Sequence, residues 1–527
     1  MFLQQSSILR RVKKPRFPFS RRASGVLMHP TSLPGPHGSG DIGHEARRFA
    51  DFLATAGQRW WQMLPVGPAN GGAGNSPYSS PSSFAGNPYL IDLATLADEG
   101  LLDAREIAPT KELSRNPNSV NFPATIAFRE QRLRMGFERF DALRDGRHET
   151  LATYCAKQSS WLDDYALFAA LKTKYAGAEW TRWPRELRLR NPDALKRARH
   201  DLAGEVRFQK WVQYVFDAQW QSLRKYCNDR GVALVGDIPI FVAHDSADVW
   251  ARRELFDLDR TGLPRTISGY PPDAFNVDGQ RWGHPHYSWA EHSRERYAWW
   301  IARFARTFDL FDAVRIDHFL GFNRLWCIPC KSPTAANGKW IEGPGVGIFN
   351  ALRDALGNMP IIAEDLGLLT RDAEILRDRF KFPGMRIMQF GFGSSYHLPH
   401  SYPRRCVAYT GTHDNDTIVG WFDKLRRAAR KKSSIPAAEF ARTLSYLNSD
   451  GRDIHWAFIR ALMQSPADTV IFPVQDILGL GTEARMNIPG TAEGNWHWRL
   501  SPGKLTDKLA ANLKNLVDTY DRSSARS

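Results

Sequence analysis

Four acidic residues follow short apolar segments of the sequence, in positions that could bring them to one surface. Asp237, Asp317 and Glu364 lie towards the end of such segments, and Asp414 lies just beyond another. Paired carboxylates are suited to breaking glycosidic bonds, because an ionised group can attack the anomeric carbon while a protonated group releases the leaving oxygen. One such acid alone would be interpreted as an ion pair or a helix cap. Several at successive strand ends favour a catalytic role.

Carboxylates gathered on one surface repel each other and need balancing groups. Arg315 lies two residues before Asp317, so both side chains should leave the same face of a strand. Arg315 should therefore keep Asp317 ionised, and His413 is a second balancing donor. Glu364 follows an apolar tripeptide, where partial burial should raise its pKa towards the working range. Asp414 is then available to bind sugar hydroxyls and to support a cationic transition state.

The elements that must position these acids recur as a short apolar run followed by a helical pattern. Near-continuous apolar runs are typical of parallel strands buried on both faces, and their alternation with helices predicts right-handed βαβ units. Eight strands predict a closed (β/α)8 TIM barrel of the α/β class, with catalytic residues at the C-terminal strand ends. The candidate strands are residues 25–30, 59–66, 233–240, 313–319, 360–366, 385–391, 406–413 and 469–476.

Other segments predict helices and insertions around this barrel, which we assign to residues 23–527. The interval between the second and third strands is too long for a loop and contains helical patterns, which predicts a mostly helical subdomain at about 85–230. A segment rich in glycine, proline and aromatic residues predicts a loop insertion over the barrel mouth at about 250–290. Helices with one apolar face are predicted at 46–56, 288–310 and 347–356.

Composition restricts the class of protein. The chain has 527 residues, of which 43% are hydrophobic and 24% charged, as in ordinary globular proteins. Much of the net charge of +15 lies in residues 1–22, a basic segment that we predict to be a disordered leader. An organelle transit peptide is the alternative to the expected cytoplasmic location. The basic residues lack the aromatic and glycine pattern of an RNA-binding sheet, so we expect no nucleic-acid partner, and no apolar run approaches the ~18 residues of a membrane span.

The cysteines are few and odd in number, five in all, which indicates reduced thiols in a reducing compartment. Cys327 and Cys330 form a CxxC pair without a second ligand pair, and we interpret it as a chance pair in a loop. We expect no metal site and no cofactor. Eighteen tryptophans are compatible with stacking on sugar rings, although core packing explains the count alone better.

Long segments of the chain resemble the amylomaltase, or disproportionating-enzyme, family of 4-α-glucanotransferases (glycoside hydrolase family 77). The resemblance covers almost all of residues 24–505, and chance agreement of every segment in the same order is negligible. The segments are SGVLMHPTSLPGPHGSGDIG, WWQMLPVGP, SPYSS, FAGNPYLIDL, VGDIPIFVAHDSADVW, GYPPDAFNVDGQRWGHPHYSW, FDAVRIDHFLGF, IIAEDLG, YTGTHDNDT and RMNIPGT.

This resemblance implies roles for individual residues. Asp317 matches the family's nucleophile, Glu364 its general acid/base, and Asp414 the third carboxylate, which holds the sugar at the cleavage subsite. Matches to substrate-binding positions are Tyr78, Asp237, Arg315 and His413 around that subsite, Gln280 and Trp282 in the flexible loop on the acceptor side, and Asn487 and Pro489 in the loop facing it. The segment at Gly393 and Ser394 is shorter than the family's usual loop, so the resemblance does not imply the family's acceptor contacts there.

The implied activity is transfer of an α-1,4-glucan segment from a malto-oligosaccharide, starch or glycogen chain to the 4-hydroxyl of glucose or another glucan. Retention of configuration requires the Asp317 and Glu364 carboxyls to lie ~5–5.5 Å apart. One alternative is an α-amylase-type hydrolase, in which water is the acceptor. A second is a glucan-binding protein without turnover, although the presence of all three acids argues against it.

Overall fold

The computed structural model describes residues 18–523 except positions 70, 114, 273–276, 368–369, 394–396, 432–433 and 492. Within this part of the chain, twelve strands form two separate sheets. The strands are β1 (Ala23–Leu27), β2 (Trp60–Gln62), β3 (Ala233–Ile238), β4 (Thr266–Tyr270), β5 (Gln280–Pro285), β6 (Ala313–Ile316), β7 (Arg324–Pro329), β8 (Lys339–Glu342), β9 (Ile361–Ala363), β10 (Gly384–Ile387), β11 (Cys406–Tyr409) and β12 (Thr469–Pro473).

The larger sheet is a parallel barrel. Its strands follow the order β10-β11-β12-β1-β2-β3-β6-β9, and every neighbouring pair is parallel. The ring is completed by the backbone N–H of Ala363, which donates to the carbonyl of Pro383, just before β10, at 2.9 Å. Each of the eight predicted strands overlaps one strand of this sheet, and the predicted (β/α)8 barrel is confirmed.

Alternate residues of each barrel strand point inwards. Val235 and Ile362 belong to the apolar cluster inside the barrel, whereas Ile316 packs against the surrounding layer. Side chains along a strand alternate with a period of two residues. Asp237 and Glu364 lie two residues beyond Val235 and Ile362, so their side chains leave the inner face at the C-terminal rim.

Helices surround the barrel and fill its longer connections. The α-helices are α1 (His44–Thr55), α2 (Leu93–Asp98), α3 (Phe122–Ala142), α4 (Arg147–Lys174), α5 (Arg185–Arg188), α6 (Pro192–Asp201), α7 (Ala203–Asp229), α8 (Ala247–Ala251), α9 (Trp289–Arg294), α10 (Ala298–Leu310), α11 (Gly345–Leu356), α12 (Arg371–Arg379), α13 (Ile418–Arg430), α14 (Ser434–Leu447), α15 (Ile454–Gln464), α16 (Val474–Ile477) and α17 (Asp507–Thr519). Short 3-10 helices occur at Pro30–Ser32, Gly71–Ala73, Pro88–Leu90, Trp180–Arg182, Arg253–Leu255, Phe319–Phe322, Met388–Phe392, Pro399–Ser401 and Thr482–Ala484. No helix of the described residues is long and apolar enough to cross a membrane.

The predicted helix at 288–310 is interrupted in the structure. It consists of α9 and α10, separated by Arg296 and Tyr297 in left-handed conformation, with φ of 54° and 59°. Two consecutive left-handed residues break the hydrogen-bond pattern of a right-handed helix. The predicted helices at 46–56 and 347–356 are confirmed as α1 and α11, which are followed by Gly57 and Gly357 with positive φ.

The connection between β2 and β3 contains α2 to α7, and a buried ion pair joins it to the barrel layer. Arg306 on α10 donates to both carboxylate oxygens of Asp217 on α7, at 2.9 and 2.6 Å. The Nε of Arg306 also donates to the carbonyl of Phe84 at 2.9 Å. Both charged side chains are almost inaccessible to water, so the partners depend on each other.

The smaller sheet is antiparallel, in the order β5-β4-β7-β8. Strands β4 and β5 come from the insertion at about 250–290, and β7 and β8 from the segment after β6. Cys327 lies within β7 and Cys330 just after it, so the pair begins in a strand and not in the predicted loop. All five cysteines are free. The sheet carries Gln280 and Trp282 on β5.

The leader meets the fold before its predicted end. The ring of Phe19 stacks on Trp60 at 4.8 Å, and Arg22 donates to the carbonyls of Ser465 and Met463 at 2.9 and 3.1 Å. Residues 1–17 lie outside the described residues. The basic segment therefore contributes its last residues to the barrel layer.

Arg306→Met should lower the free energy of unfolding by about 3–5 kcal/mol, because Asp217 would remain as a buried charge without its partner. Denaturant unfolding measures the change. The double variant Arg306→Met/Asp217→Leu should recover much of the loss, since it leaves no buried charge. Arg426→Met, which removes an exposed ion pair with Asp423, should change stability by less than about 1 kcal/mol. Equal effects of the two single variants would contradict this interpretation.

Candidate active site

A buried guanidinium organises the acids at the C-terminal rim of the barrel. Arg315 on β6 donates from Nη1 to Asp237 Oδ2 at 2.6 Å and from Nη2 to Asp317 Oδ1 at 2.8 Å. Asp237 is the register partner of Arg315 on the neighbouring strand β3. Asp317 is the first residue after β6. It lies two residues beyond Arg315, so its side chain is on the same side of the strand. The barrel geometry therefore places one cation between two carboxylates.

The acids differ in their access to solvent. The side chain of Asp237 is 1% exposed, whereas those of Asp317 and Asp414 are 30% and 43% exposed. Burial raises the pKa of Asp237 to about 7, and the positive charge of Arg315 opposes this rise. Asp317 and Asp414 can therefore meet a ligand in the mouth, while Asp237 lies behind them.

Glu364 is the neighbour of Asp317 on the adjacent strand. Ile316 and Ala363 are register partners on β6 and β9, and each acid is the next residue of its strand. Adjacent strands lie ~4.8 Å apart, so the backbones of the two acids are side by side. Both side chains leave the inner face of the barrel, as catalysis by a pair of carboxylates requires.

Two backbone N–H groups hold the carboxylate of Glu364. The N–H of His318 donates to Oε2 at 2.7 Å and the N–H of Leu366 to Oε1 at 2.8 Å. Burial raises the pKa of Glu364 to about 7; Arg315 opposes the rise, the negative charge of Asp317 adds to it, and the two N–H donors oppose it. A carboxyl group balanced near neutral pH can both give and take a proton.

His318 was not among the residues singled out from the sequence. It has φ 51° and ψ 54°, a left-handed conformation that is uncommon in residues other than glycine. Its ring packs edge-on against Trp282 with a centroid distance of 4.9 Å. Burial lowers the pKa of His318 to about 4, so the ring is neutral at pH 7. Its position directly after Asp317 at a strand end was the only available signal.

Tyr78, His413 and Asp414 form the opposite side of the mouth. The Tyr78 hydroxyl donates to Asp237 Oδ2 at 2.8 Å and lies 3.0 Å from Nε2 of His413. The two rings are stacked with centroids 5.2 Å apart. Nε2 of His413 lies 3.3 Å from Oδ2 of Asp414, and burial lowers the pKa of the histidine. A chain of polar contacts thus connects Asp414 to the Arg315 centre.

The loop after β12 fixes Asp414 from outside. Asn487 Nδ2 donates to Asp414 Oδ1 at 2.6 Å. Arg485 donates to the backbone carbonyl of Asp414 at 2.5 Å and to that of Asn487 at 2.7 Å. Arg485 was not singled out from the sequence, although it belongs to the segment containing Asn487. Pro489 lies two residues further on and is exposed.

Gln280 and Trp282 lie on the smaller sheet, near Asp317. Trp282 Nε1 donates to Gln280 Oε1 at 3.1 Å, and the contact of Trp282 with His318 places the indole beside the catalytic rim. The other part of the predicted acceptor side, at Gly393 and Ser394, is only partly described, because Ser394 lies outside the described residues. Among those described, no group of three or more His, Cys, Asp or Glu side chains could hold a metal ion.

Comparison with known proteins finds similarity to one family of enzymes. The sequence model of a family described as 4-alpha-glucanotransferase matches residues 28–506. The 4-alpha-glucanotransferase of Thermus thermophilus is 44% identical over 507 residues, covering 95% of this chain and 99% of the relative. The enzyme of that name from Synechocystis sp. is 45% identical over 509 residues, covering 95% and 98%. The solved structure of amylomaltase from Streptococcus agalactiae in complex with acarbose has a TM-score of 0.88 and 36% identity, covering 96% of this chain and 100% of that one.

Proposed function

The chain belongs to the 4-alpha-glucanotransferase family, and on that premise we propose how its own residues transfer a glucan segment. The enzyme is a glycosyltransferase acting on α-1,4-glucans. The observation that carries the proposed mechanism is the position of Asp317 and Glu364 on adjacent strands, with Arg315 beside one and a raised pKa at the other. On this proposal the scissile bond binds between the two acids, with Asp317 as the nucleophile and Glu364 as the proton donor.

In the first step Asp317 is the nucleophile. Its Oδ1 accepts a hydrogen bond from Arg315, which leaves Oδ2 to attack the anomeric carbon of the donor. The bond between that carbon and the leaving O4 breaks as Glu364 gives its proton to O4. The shortened glucan departs with a new 4-hydroxyl group, and a covalent glucosyl-enzyme remains.

In the second step Glu364 is the base. The 4-hydroxyl of an acceptor attacks the anomeric carbon, its proton passes to Glu364, and the carboxylate of Asp317 leaves. Two inversions give overall retention of the α configuration. We propose that glucose itself is an acceptor, as well as longer glucans.

The remaining residues bind and orient the sugars. Asp414 accepts hydrogen bonds from sugar hydroxyls in the mouth, where its exposed Oδ2 is beside His413. Tyr78 stacks on the sugar at the cleavage subsite. Asp237 is too deeply buried to be a reactant and acts by holding Arg315 and Tyr78. On the acceptor side the contacts come from Gln280, Trp282, Asn487 and Pro489.

We also propose a cytoplasmic location. All five cysteines are free thiols, two of them close together in sequence at Cys327 and Cys330. Thiols persist in a reducing compartment, whereas an oxidising one favours disulfides. Fractionation of the source cells, with detection of the native protein, tests this location; recovery from an oxidising compartment would contradict it.

Asp317→Asn should abolish disproportionation of maltotriose, with a loss of at least about 10⁴-fold in kcat, because the amide cannot form the covalent intermediate. The assay follows glucose and the ladder of longer glucans; maltose and glucose alone would indicate hydrolysis. Binding of acarbose by calorimetry and an unchanged Tm should show that the site is intact. Asp372→Asn, on α12 outside the barrel rim, is the matched control. Wild-type turnover by Asp317→Asn would contradict the assignment of the nucleophile.

The pH profile should reflect Glu364. Because the first step needs its protonated form, kcat/KM should fall as pH rises above about 7, approaching tenfold per pH unit. Initial rates with maltotriose between pH 5 and 9 measure this decrease, which is the alkaline limb of the pH profile. Asp237 also has a raised pKa, so Asp237→Asn separates the two groups: the limb should persist in this variant and disappear in Glu364→Gln. If the decrease disappeared only in Asp237→Asn, it would belong to Asp237, and its assignment to Glu364 would be wrong.

A further inference from the structure

One buried carboxylate joins the two ends of the loop that carries His413 and Asp414. Asp476, on α16 at the end of the last barrel strand, is 1% exposed. Its Oδ2 accepts a hydrogen bond from the Thr410 hydroxyl at 2.5 Å, and its Oδ1 accepts one from the backbone N–H of Ile418 at 2.8 Å. Thr410 follows β11 directly, and Ile418 is the first residue of α13. The loop at 411–417 therefore starts and finishes on the same side chain.

The middle of this loop is held separately. Gln389 donates to the backbone carbonyl of Asp416 at 2.7 Å. The Asp416 carboxylate accepts Thr482 at 3.0 Å and Lys424 at 2.5 Å. Burial raises the pKa of Asp476 to about 6, and its hydrogen bonds oppose the rise. Asp476 has no role in the proposed chemistry, yet it is buried where the loop that carries His413 and Asp414 begins and ends.

We propose that Asp476 is a positioning residue that sets the distance of Asp414 and His413 from the sugar at the cleavage subsite. It does not touch the substrate. The inference rests on the proposed role of Asp414 in binding that sugar. Removing the carboxylate would free Thr410 and Ile418 together, so the loop would lose the contact at both of its ends. A displacement of ~1 Å at a catalytic site can cost about 10²-fold in rate.

The test compares Asp476→Ala and Asp476→Asn in maltotriose disproportionation. Asp476→Ala should lower kcat/KM about 10- to 100-fold. Asp476→Asn should lose less, because its amide oxygen can accept Ile418 N–H while its NH₂ donates to the Thr410 hydroxyl. Thr410→Val, which removes one of the two contacts, should be intermediate. If Asp476→Ala retains full kcat/KM in a folded protein, the positioning role is overturned.

A double-mutant cycle separates positioning from general stability. In an Asp414→Ala background, Asp476→Ala should lower kcat/KM by a smaller factor than it does alone, since one of the two contacts that it positions is gone. Asp248→Ala is the matched control: Asp248 is also buried and accepts the backbone N–H of Ser83, so its effect should be the same in both backgrounds. Equal losses for Asp476→Ala in both backgrounds would reduce Asp476 to a structural residue. An Asp414→Ala variant with normal activity would instead contradict the proposed function.

A second inference comes from an independent feature, a groove on the outside of the barrel. The described part of the connection between β10 and β11 contains only 3-10 helices, where a (β/α)8 barrel has an α-helix. A groove of about 710 Å³ lies between the 3-10 helix at Pro399–Ser401 and α15. It is separate from the residues of the barrel mouth.

The lining of this groove has the composition of a sugar site. The half-buried rings of Tyr446 and Trp456 line it together with the polar side chains of His400, Asn448 and Arg460. The backbone N–H of His400 donates to the Tyr446 hydroxyl at 3.2 Å, and its Nδ1 lies 3.1 Å from that oxygen, which fixes the tyrosine. Aromatic faces pack on the apolar faces of sugars, and amide and guanidinium groups bind their hydroxyls.

The groove also begins near the active-site mouth. The ring of Tyr446 contacts that of Phe392 with centroids 5.8 Å apart. Phe392 belongs to the 3-10 helix that follows β10 at the C-terminal rim, and in the same helix Phe390 is 54% exposed. From the lining and this continuity, we infer that the groove binds a second stretch of the same α-1,4-glucan.

Trp456→Ala should therefore raise the ratio of KM for amylose to KM for maltotriose at least threefold, because only the longer chain can occupy both sites. Tyr175→Ala is the matched control and should not change this ratio, because Tyr175 is a half-buried aromatic residue after α4, in the connection between β2 and β3. Calorimetry with maltoheptaose on the Asp317→Asn variant should find two sites, and one when Trp456→Ala is added. An unchanged ratio with one site in both proteins overturns the inference. If Trp456→Ala changed the oligomeric state, the groove would be an interface with a second copy of the chain, and the inference would be wrong.

Discussion

The arrangement of the rim depends on the pairing of one buried cation with two carboxylates. Asp237, Asp317 and Glu364 leave three neighbouring strands on the inner face of the barrel, and without compensation their repulsion would oppose folding. Arg315 contacts Asp237 and Asp317 directly. Its positive charge also opposes the rise in the pKa of Glu364 that burial causes. A lysine could not contact both acids in this way, because the two bonds leave different nitrogens of one planar group.

The register of the strands turns this charge balance into a reactive site. Asp237 and Arg315 are partners across β3 and β6, and the next pair of strands places Glu364 beside Asp317. Because side chains alternate with a period of two residues, a slip of one residue would send these groups into the outer apolar layer. The hydrophobic alternation that builds the barrel core therefore also determines which acids can meet.

The sequence was sufficient for the barrel and the acids because both depend on local patterns. Apolar runs of the right length identify all eight barrel strands, and the acids lie at or shortly after the ends of four of them. Features that depend on distant contacts were not predicted. Strand β7 pairs with β4 from another insertion, and β8 pairs with β7. The break before α10 and the conformation of His318 are stabilised by packing and hydrogen bonds that no local pattern reports.

The environment of Glu364 explains why a positioning contact far from the substrate matters to such a site. Two N–H donors and Arg315 favour its ionised form, while burial and the charge of Asp317 favour the protonated form. Burial prevails and raises the pKa to about 7, which suits a group that must donate a proton in one step and accept one in the next. The balance depends on distances of a few ångströms. His318, whose N–H donates to Glu364 and whose ring packs on Trp282, connects the backbone that holds this acid to the smaller sheet.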